Sequence, residues 1–241
     1  MFKKQLFFIL FLTFSCNKNI EVLSVSNLFS DGAILQRDTT VTVWGTSMPN
    51  NQIELTGSWG EKIIIKSNSD GKWKGMMKTS HAGGPHSLQI LSKNNELVIN
   101  DILFGEVWLA SGQSNMEMNF DYCCNSTDSS EYELSHANYP KLRMFNVKKA
   151  ISDKPQIDIE GDWVSAVGKN IIDFSAVGYF FAKNLYLDLN VPIGIINASW
   201  GGSIIESWSS NEALSSIDGF TDKIEEVKLS SENYRKTKDW Y

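Results

Sequence analysis

The sequence predicts an α/β protein in two parts, an N-terminal antiparallel β-sandwich followed by the start of an α/β/α sandwich. Three observations predict it. From about Ser24 to Asp101, short β-rich runs alternate with turn residues; from Asp101 onward, apolar strands alternate with a helical stretch. With 241 residues, 42% hydrophobic and 21% charged, the chain can bury a sizeable core and lies far from the composition of disordered proteins.

The runs of the first part are Thr40 to Trp44, Gln52 to Thr56, Lys62 to Lys66, Lys72 to Met77, Ser87 to Leu91 and Leu97 to Ile99. Asp70-Gly71 reads as a hairpin turn, and Ala82-Gly83-Gly84-Pro85 as a turn between two strands. This half serves either as a scaffold for the second part or as a glycan-binding module. In the second part Ile102 to Ala110 is a strand, Leu142 to Val147 a second and Ile193 to Ala198 a third. Ser175 caps a helix with Val177, Phe180, Phe181 and Leu185 at helical spacing. A helix between strands favours parallel pairing, which points to a sandwich of flavodoxin-like order. The polar stretch Asn211 to Asp239 reads as helical.

The amino end reads as a secretory signal. Lys3-Lys4 is a positive start, and Leu6 to Phe14 is an apolar core too short to span a bilayer. Leu12-Thr13-Phe14-Ser15-Cys16 resembles a bacterial lipobox, with Cys16 lipidated and first in the mature protein. The alternative is ordinary cleavage and a secreted product. The chain thus divides into residues 1–16, 17–101 and 102–241, and the expected place is the bacterial cell envelope, periplasm or outer membrane, with membrane contact only through the anchor. Cys123 and Cys124 are adjacent and read as a structural thiol pair or a vicinal disulfide.

Chemistry concentrates at two turns. Glu106-Val107-Trp108-Leu109-Ala110-Ser111-Gly112-Gln113-Ser114-Asn115-Met116-Glu117 runs an apolar strand into a small-residue turn that presents Ser114. A serine used as nucleophile is held exposed at such a turn, near a base and near N–H donors for an oxyanion. The competing reading is a capping box, S-x-x-E, in which Ser114 only starts a helix. Downstream, Ile193 to Ala198 ends in Gly201-Gly202, with Ser203 placed to cap a short helix from Ile204. Ligands sit beyond the carboxyl ends of strands in open α/β sheets, so the two turns can share a pocket, Ser114 from one and an N–H of Gly202 from the other.

Gly112-Gln113-Ser114-Asn115-Met116-Glu117 followed by Ser199-Trp200-Gly201-Gly202-Ser203-Ile204-Ile205-Glu206-Ser207-Trp208 resembles the sialate O-acetylesterase family, a branch of the SGNH (GDSL-like) serine hydrolases. Phe29 to Arg37, Val43-Trp44-Gly45, Gly83-Gly84-Pro85 and Phe174 to Ala182 fit it as well. The resemblance implies an O-acetylated sugar, sialic acid above all, as substrate. It implies Ser114 as nucleophile, the N–H groups of Ser114 and Gly202 as oxyanion hole, and Gln113, Asn115, Glu117 and Gly201 as residues that shape the site. Family members are longer and carry a Trp-x-Gln-Gly-Glu-like segment and a late Asp-x-x-His. Neither is visible here, and no histidine follows Gly202. The resemblance therefore implies the N-terminal part of such an enzyme, weak or inactive as it stands. The alternatives are a glycan-binding envelope lipoprotein without activity and a non-functional gene fragment.

His81, His86 and His136 are poor substitutes for the absent base: two flank the Gly-Gly-Pro turn, and His136 lies on an exposed insert. No metal site is expected, because His81 and His86 lack a cysteine or acidic partner at a recognisable offset. No cofactor is expected, since no phosphate-binding glycine loop or dinucleotide fingerprint occurs. A net charge of −6 offers nucleic acid no general attraction. Arg37, Lys141, Arg143 and Lys148 are available for a sugar carboxylate, and eight tryptophans suit either sugar stacking or a core. Oligomeric state is open.

Overall fold

The computed structural model describes residues 23–93, 95–121, 129–152, 155–226 and 229. The signal segment with Cys16 and the pair Cys123 and Cys124 lie outside the described residues. The strands and helices run in the order β1 Ser24–Val25, β2 Ile34–Gln36, β3 Thr40–Thr46, β4 Gln52–Gly57, β5 Lys62–Lys66, β6 Lys72–Lys78, β7 Gly83–Ser92, β8 Asn95–Gly112, α1 Ser114–Glu117, α2 Ser130–His136, β9 Asn138–Asn146, β10 Trp163–Val167, α3 Ala176–Leu189, β11 Ile193–Ser199 and α4 Asn211–Ser215.

Alternation drives the first unit. Along β6, Trp73, Gly75 and Met77 face inward while Lys72, Lys74, Met76 and Lys78 face solvent. A three-stranded sheet, β1-β3-β6, packs on a second sheet containing β4, β5 and β7 and the first half of β8. Between them lies a core of Val43, Ile53, Leu55, Trp73, Met77, Leu88, Ile90 and Phe104. Burying each such side chain contributes about 1.5–3 kcal/mol. The unit is not wholly antiparallel, because β2 pairs in parallel with β8. Asp70-Gly71 is a turn, with the Asn68 side chain accepting the N–H of Asp70 and of Lys72. It closes no hairpin, since β5 and β6 belong to different sheets and the turn crosses from one to the other. Gly83-Gly84-Pro85 is likewise the start of β7, not a turn, and His86 lies inside that strand.

The change of sequence pattern at Asp101 falls inside a continuous strand. The first half of β8 pairs with β7, and Glu106 to Gly112 then pair in parallel with Ile193 to Ser199 of β11. Gly105 permits the switch: a Cβ there would overlap the carbonyl oxygen of Pro192, which accepts the N–H of Glu106. Gly105→Ala is therefore expected to cost about 1–3 kcal/mol, as overpacking against backbone does. Thermal unfolding measures it, and an unchanged midpoint would contradict this close approach.

Beyond this point the strand order is β10-β9-β11-β8, with β11 parallel to both neighbours and β10 an antiparallel edge. A second core of Leu142, Met144, Ala166, Ile171, Phe174, Tyr179, Ile193 and Ile195 forms between this sheet and α3. Ser175 does cap α3, accepting the N–H of Gly178 at 3.1 Å. The helix meets the core with only part of the apolar set that the spacing names, Phe180 and Leu185, which pack against it partly buried. Ala176, Gly178, Tyr179 and Ala182 are buried, whereas Val177 and Phe181 are nearly half exposed. Small residues let the helix lie close to the sheet, and the Tyr179 hydroxyl finds a partner in Glu133, which a phenylalanine could not use.

Candidate active site

The site forms where β8 and β11 end side by side. Gly112, at a φ of 149° that favours glycine, turns the chain out of β8, and Ser114 becomes the first residue of α1. The N–H of Trp200 donates to the carbonyl of Gly112 at 2.9 Å and ties the second turn to the first. Gly201 then lies against the serine: a Cβ on Gly201 would sit 3.5 Å from both Cα and Cβ of Ser114. Gly202 is exposed, with a φ of 78° and open space where a Cβ would stand.

The capping box is not formed. Gln113 occupies the cap position without a side-chain bond, and among the described residues the Ser114 hydroxyl, partly exposed, makes only a long 3.4 Å contact to Gln113 Oε1. Glu117 does not reach back to the start of its helix. Its carboxylate accepts the N–H of Gly201 and pairs with Lys149 Nζ, so it clasps the glycine turn to the serine helix. The bond from Lys149, helped by that from Gly201, holds the Glu117 carboxyl below its ordinary value near 4.5. Asn115 is exposed on α1. Ser203 does not cap the short 3-10 turn Ile205–Trp208, whose cap position is Ile204. Its hydroxyl donates to the carbonyl of Trp200 at 2.6 Å and accepts the indole N–H of Trp208 at 2.8 Å, bracing the turn from inside.

A cleft of about 660 Å³ opens beside these turns, lined by Lys148, Lys149, Ser199, Trp200 and Trp208 of the second unit and by Asn27 of the first. Ser114 stands outside its lining. Lys149 links the cleft to the serine helix: it lines the one, and its ammonium pairs with Glu117 of the other and lies 5.6 Å from the Trp200 ring centre.

No family model matches the chain. Sialate O-acetylesterase of Homo sapiens is 32% identical over 211 residues, covering 78% of this chain and 39% of that protein. Sialate O-acetylesterase of Mus musculus is 31% identical over 202 residues, covering 75% and 36%. The crystal structure of a carbohydrate acetylesterase from Xanthomonas citri matches with a TM-score of 0.74 at 40% identity, over 80% of this chain and 44% of that one. The chain belongs to the sialate O-acetylesterase family. It spans well under half the length of the curated relatives it matches.

Within this sialate O-acetylesterase fold the three histidines are engaged away from Ser114. His81 pairs with Asp38 at 2.6 Å, His86 packs with Trp59 and Phe104, where burial pushes its imidazole below the ordinary value, and exposed His136 stacks on Tyr132. Of the candidate cations, Arg37 pairs with Glu106, Arg143 with Asp101 and Lys148 with Glu160, while Lys141 is exposed on β9. Among the described residues no cluster of three metal-ligating side chains forms, and no helix is long and apolar enough to cross a membrane.

Sequence reasoning missed Lys149, which carries no local signal, and a polar ladder at the strand ends. There Ser199 donates to Asn197 at 2.8 Å, and Asn197 donates to Asn146 at 3.0 Å. Asn197 was findable as an amide inside an apolar run. Glu117→Ala is expected to loosen the glycine turn, seen as faster amide exchange at Gly201. Removing a charged acceptor from that N–H costs about 1–3 kcal/mol. Because the folded carboxyl titrates below 4.5, its stabilisation is complete above that pH and fades as pH falls through the lowered value. A denaturation midpoint series from pH 6 to pH 3 should therefore decline less steeply in Glu117→Ala than in the parent.

Proposed function

We propose that this chain supplies the nucleophile and part of the oxyanion hole of a carbohydrate O-acetylesterase, with an O-acetylated sugar as substrate. The sialic acid named for the curated relatives is its leading example. The observation that carries the reading is the packing of the Gly201-Gly202 turn directly against a partly exposed Ser114. Ser114 Oγ would bond to the acetyl carbonyl carbon as its proton passes to a base. The N–H groups of Ser114 and Gly202 would hold the oxygen, and collapse would release the sugar hydroxyl; water then frees acetate. Among the described residues no histidine bonds to Ser114, so the base is the step these residues leave open. Loss of one oxyanion donor alone costs about 100- to 1,000-fold, and loss of a base at least as much, so this polypeptide should release acetate very slowly.

A serine-reactive fluorophosphonate tests the reading, since an oxyanion hole alone still speeds attack by its serine over solution, so that an adduct accumulates slowly without turnover or a base. Mass spectrometry should find the adduct on Ser114. Sugar binding with no adduct would favour a glycan-binding module instead. The proposal extends to an envelope location through a lipid on Cys16, where radiolabelled palmitate should enter the parent and not Cys16→Ser.

A further inference from the structure

The cleft beside the serine belongs to neither turn alone, and its construction joins the two units. Ser26 Oγ donates to Asp158 Oδ1 at 2.7 Å, and the N–H of Asn27 donates to the same oxygen at 2.9 Å. The amide of Asn27 donates to the carbonyl of Ile159 at 3.0 Å, and the indole of Trp44 donates to that of Ile157 at 2.7 Å. One wall is thus fixed to the β-sandwich, and the other is the second turn with Trp200 and Trp208. Clefts at such junctions, within a range of about 300–1,000 Å³, are where small ligands bind.

We propose that this cleft is a subsite for the sugar residues attached to the acetylated one, so that the preferred ligand is an O-acetylated oligosaccharide rather than a free acetylated monosaccharide. The inference rests on the esterase reading above. If the acetylated ring sits over Ser114 and Gly202, whatever extends past Gly201 and Trp200 enters the cleft, whose lining begins there. Trp208 is 43% exposed, and its indole N–H is held by Ser203, so its ring is presented at a set angle. A flat apolar face beside the ion pair of Lys148 with Glu160, both exposed, matches a pyranose: C–H groups stack on the ring and hydroxyls meet the charged groups.

The test compares two probes on the intact 241-residue chain, an acetylated pyranose and a tetrasaccharide ending in that same acetylated unit, by titration calorimetry. The tetrasaccharide should bind at least about tenfold more tightly, and Trp208→Ala should remove most of that advantage, weakening the tetrasaccharide far more than the monosaccharide. Trp208→Phe, which keeps a stacking face but not the bond to Ser203, should retain part of it, and a parent-like unfolding midpoint in both variants excludes loss of fold. Equal affinities for the two probes, an equal loss for both in Trp208→Ala, or no saturable tetrasaccharide binding would each overturn the subsite. Failure of the esterase reading is seen separately, as absence of the fluorophosphonate adduct on Ser114.

Discussion

Ser114→Ala is expected to lose fluorophosphonate labelling entirely and to bring acetyl-ester hydrolysis down to the protein-free rate, with no change in the unfolding midpoint. The first outcome follows from chemistry: the hydroxyl is the atom that forms the covalent bond, and alanine offers none. The second follows from the local structure. Among the described residues the hydroxyl makes one long contact, to Gln113, and caps no helix. Alanine suits a helix at least as well, and substitutions free of such ties stay within about 0.5 kcal/mol. The combination separates a nucleophile from a structural serine. A capping serine would lower the midpoint on replacement, by about 0.5–2 kcal/mol, and would leave labelling unmoved. Labelling that persists in Ser114→Ala would place the reactive hydroxyl elsewhere and remove the reason for reading the two turns as one site.

Glu133→Ala should be the most damaging substitution to stability, at about 3–5 kcal/mol, the usual cost of removing one partner from a buried charged pair. Glu133 is 5% exposed on α2, where its carboxylate accepts the Tyr179 hydroxyl at 2.7 Å and pairs with Lys183 at 2.6 Å. Burial, with the Glu133 carboxylate next, drives the Tyr179 phenol far above its ordinary value, so the hydroxyl stays protonated and must donate. Without Glu133 a fully buried hydroxyl loses its acceptor and a mostly buried ammonium loses its counter-charge. Glu133→Gln, which keeps an acceptor but not the charge, should fall between. Chemical denaturation of the three proteins reads this directly; a loss under about 1 kcal/mol in Glu133→Ala would mean that water replaces the carboxylate and that the network does not pin α2 to α3.

Much of the fold was legible because it follows from local pattern. The alternation of Lys62 to Lys66 and Lys72 to Met77 marked strands, and Ser175 marked the start of α3. What local pattern does not carry is pairing. Asp70-Gly71 has the residues of a hairpin turn, yet which sheet receives the next strand depends on where Trp73 and Met77 find a core. The large residues of α3 named only part of its inner face: Phe180 and Leu185 pack on the core, but close approach to a sheet rewards Ala176, Gly178 and Ala182 over bulk. At the site, Ser114 and the two glycines stood out since exposed small-residue turns are written in consecutive positions. Lys149 did not, since its role is made by a carboxylate 32 positions earlier in the chain and an indole 51 positions later.

By itself, then, the order of amino acids determined the strands, the helix start and the two turns that end in Gly112-Gln113-Ser114 and Gly201-Gly202, because these depend on backbone preference and on period, both local quantities. Only the tertiary structure decided that β8 and β11 run side by side, that Glu117 clasps the second turn instead of capping its own helix, and that the three histidines are spent elsewhere. Those outcomes depend on which groups meet across space, where one hydrogen bond is chosen over another of similar strength by the packing that surrounds both.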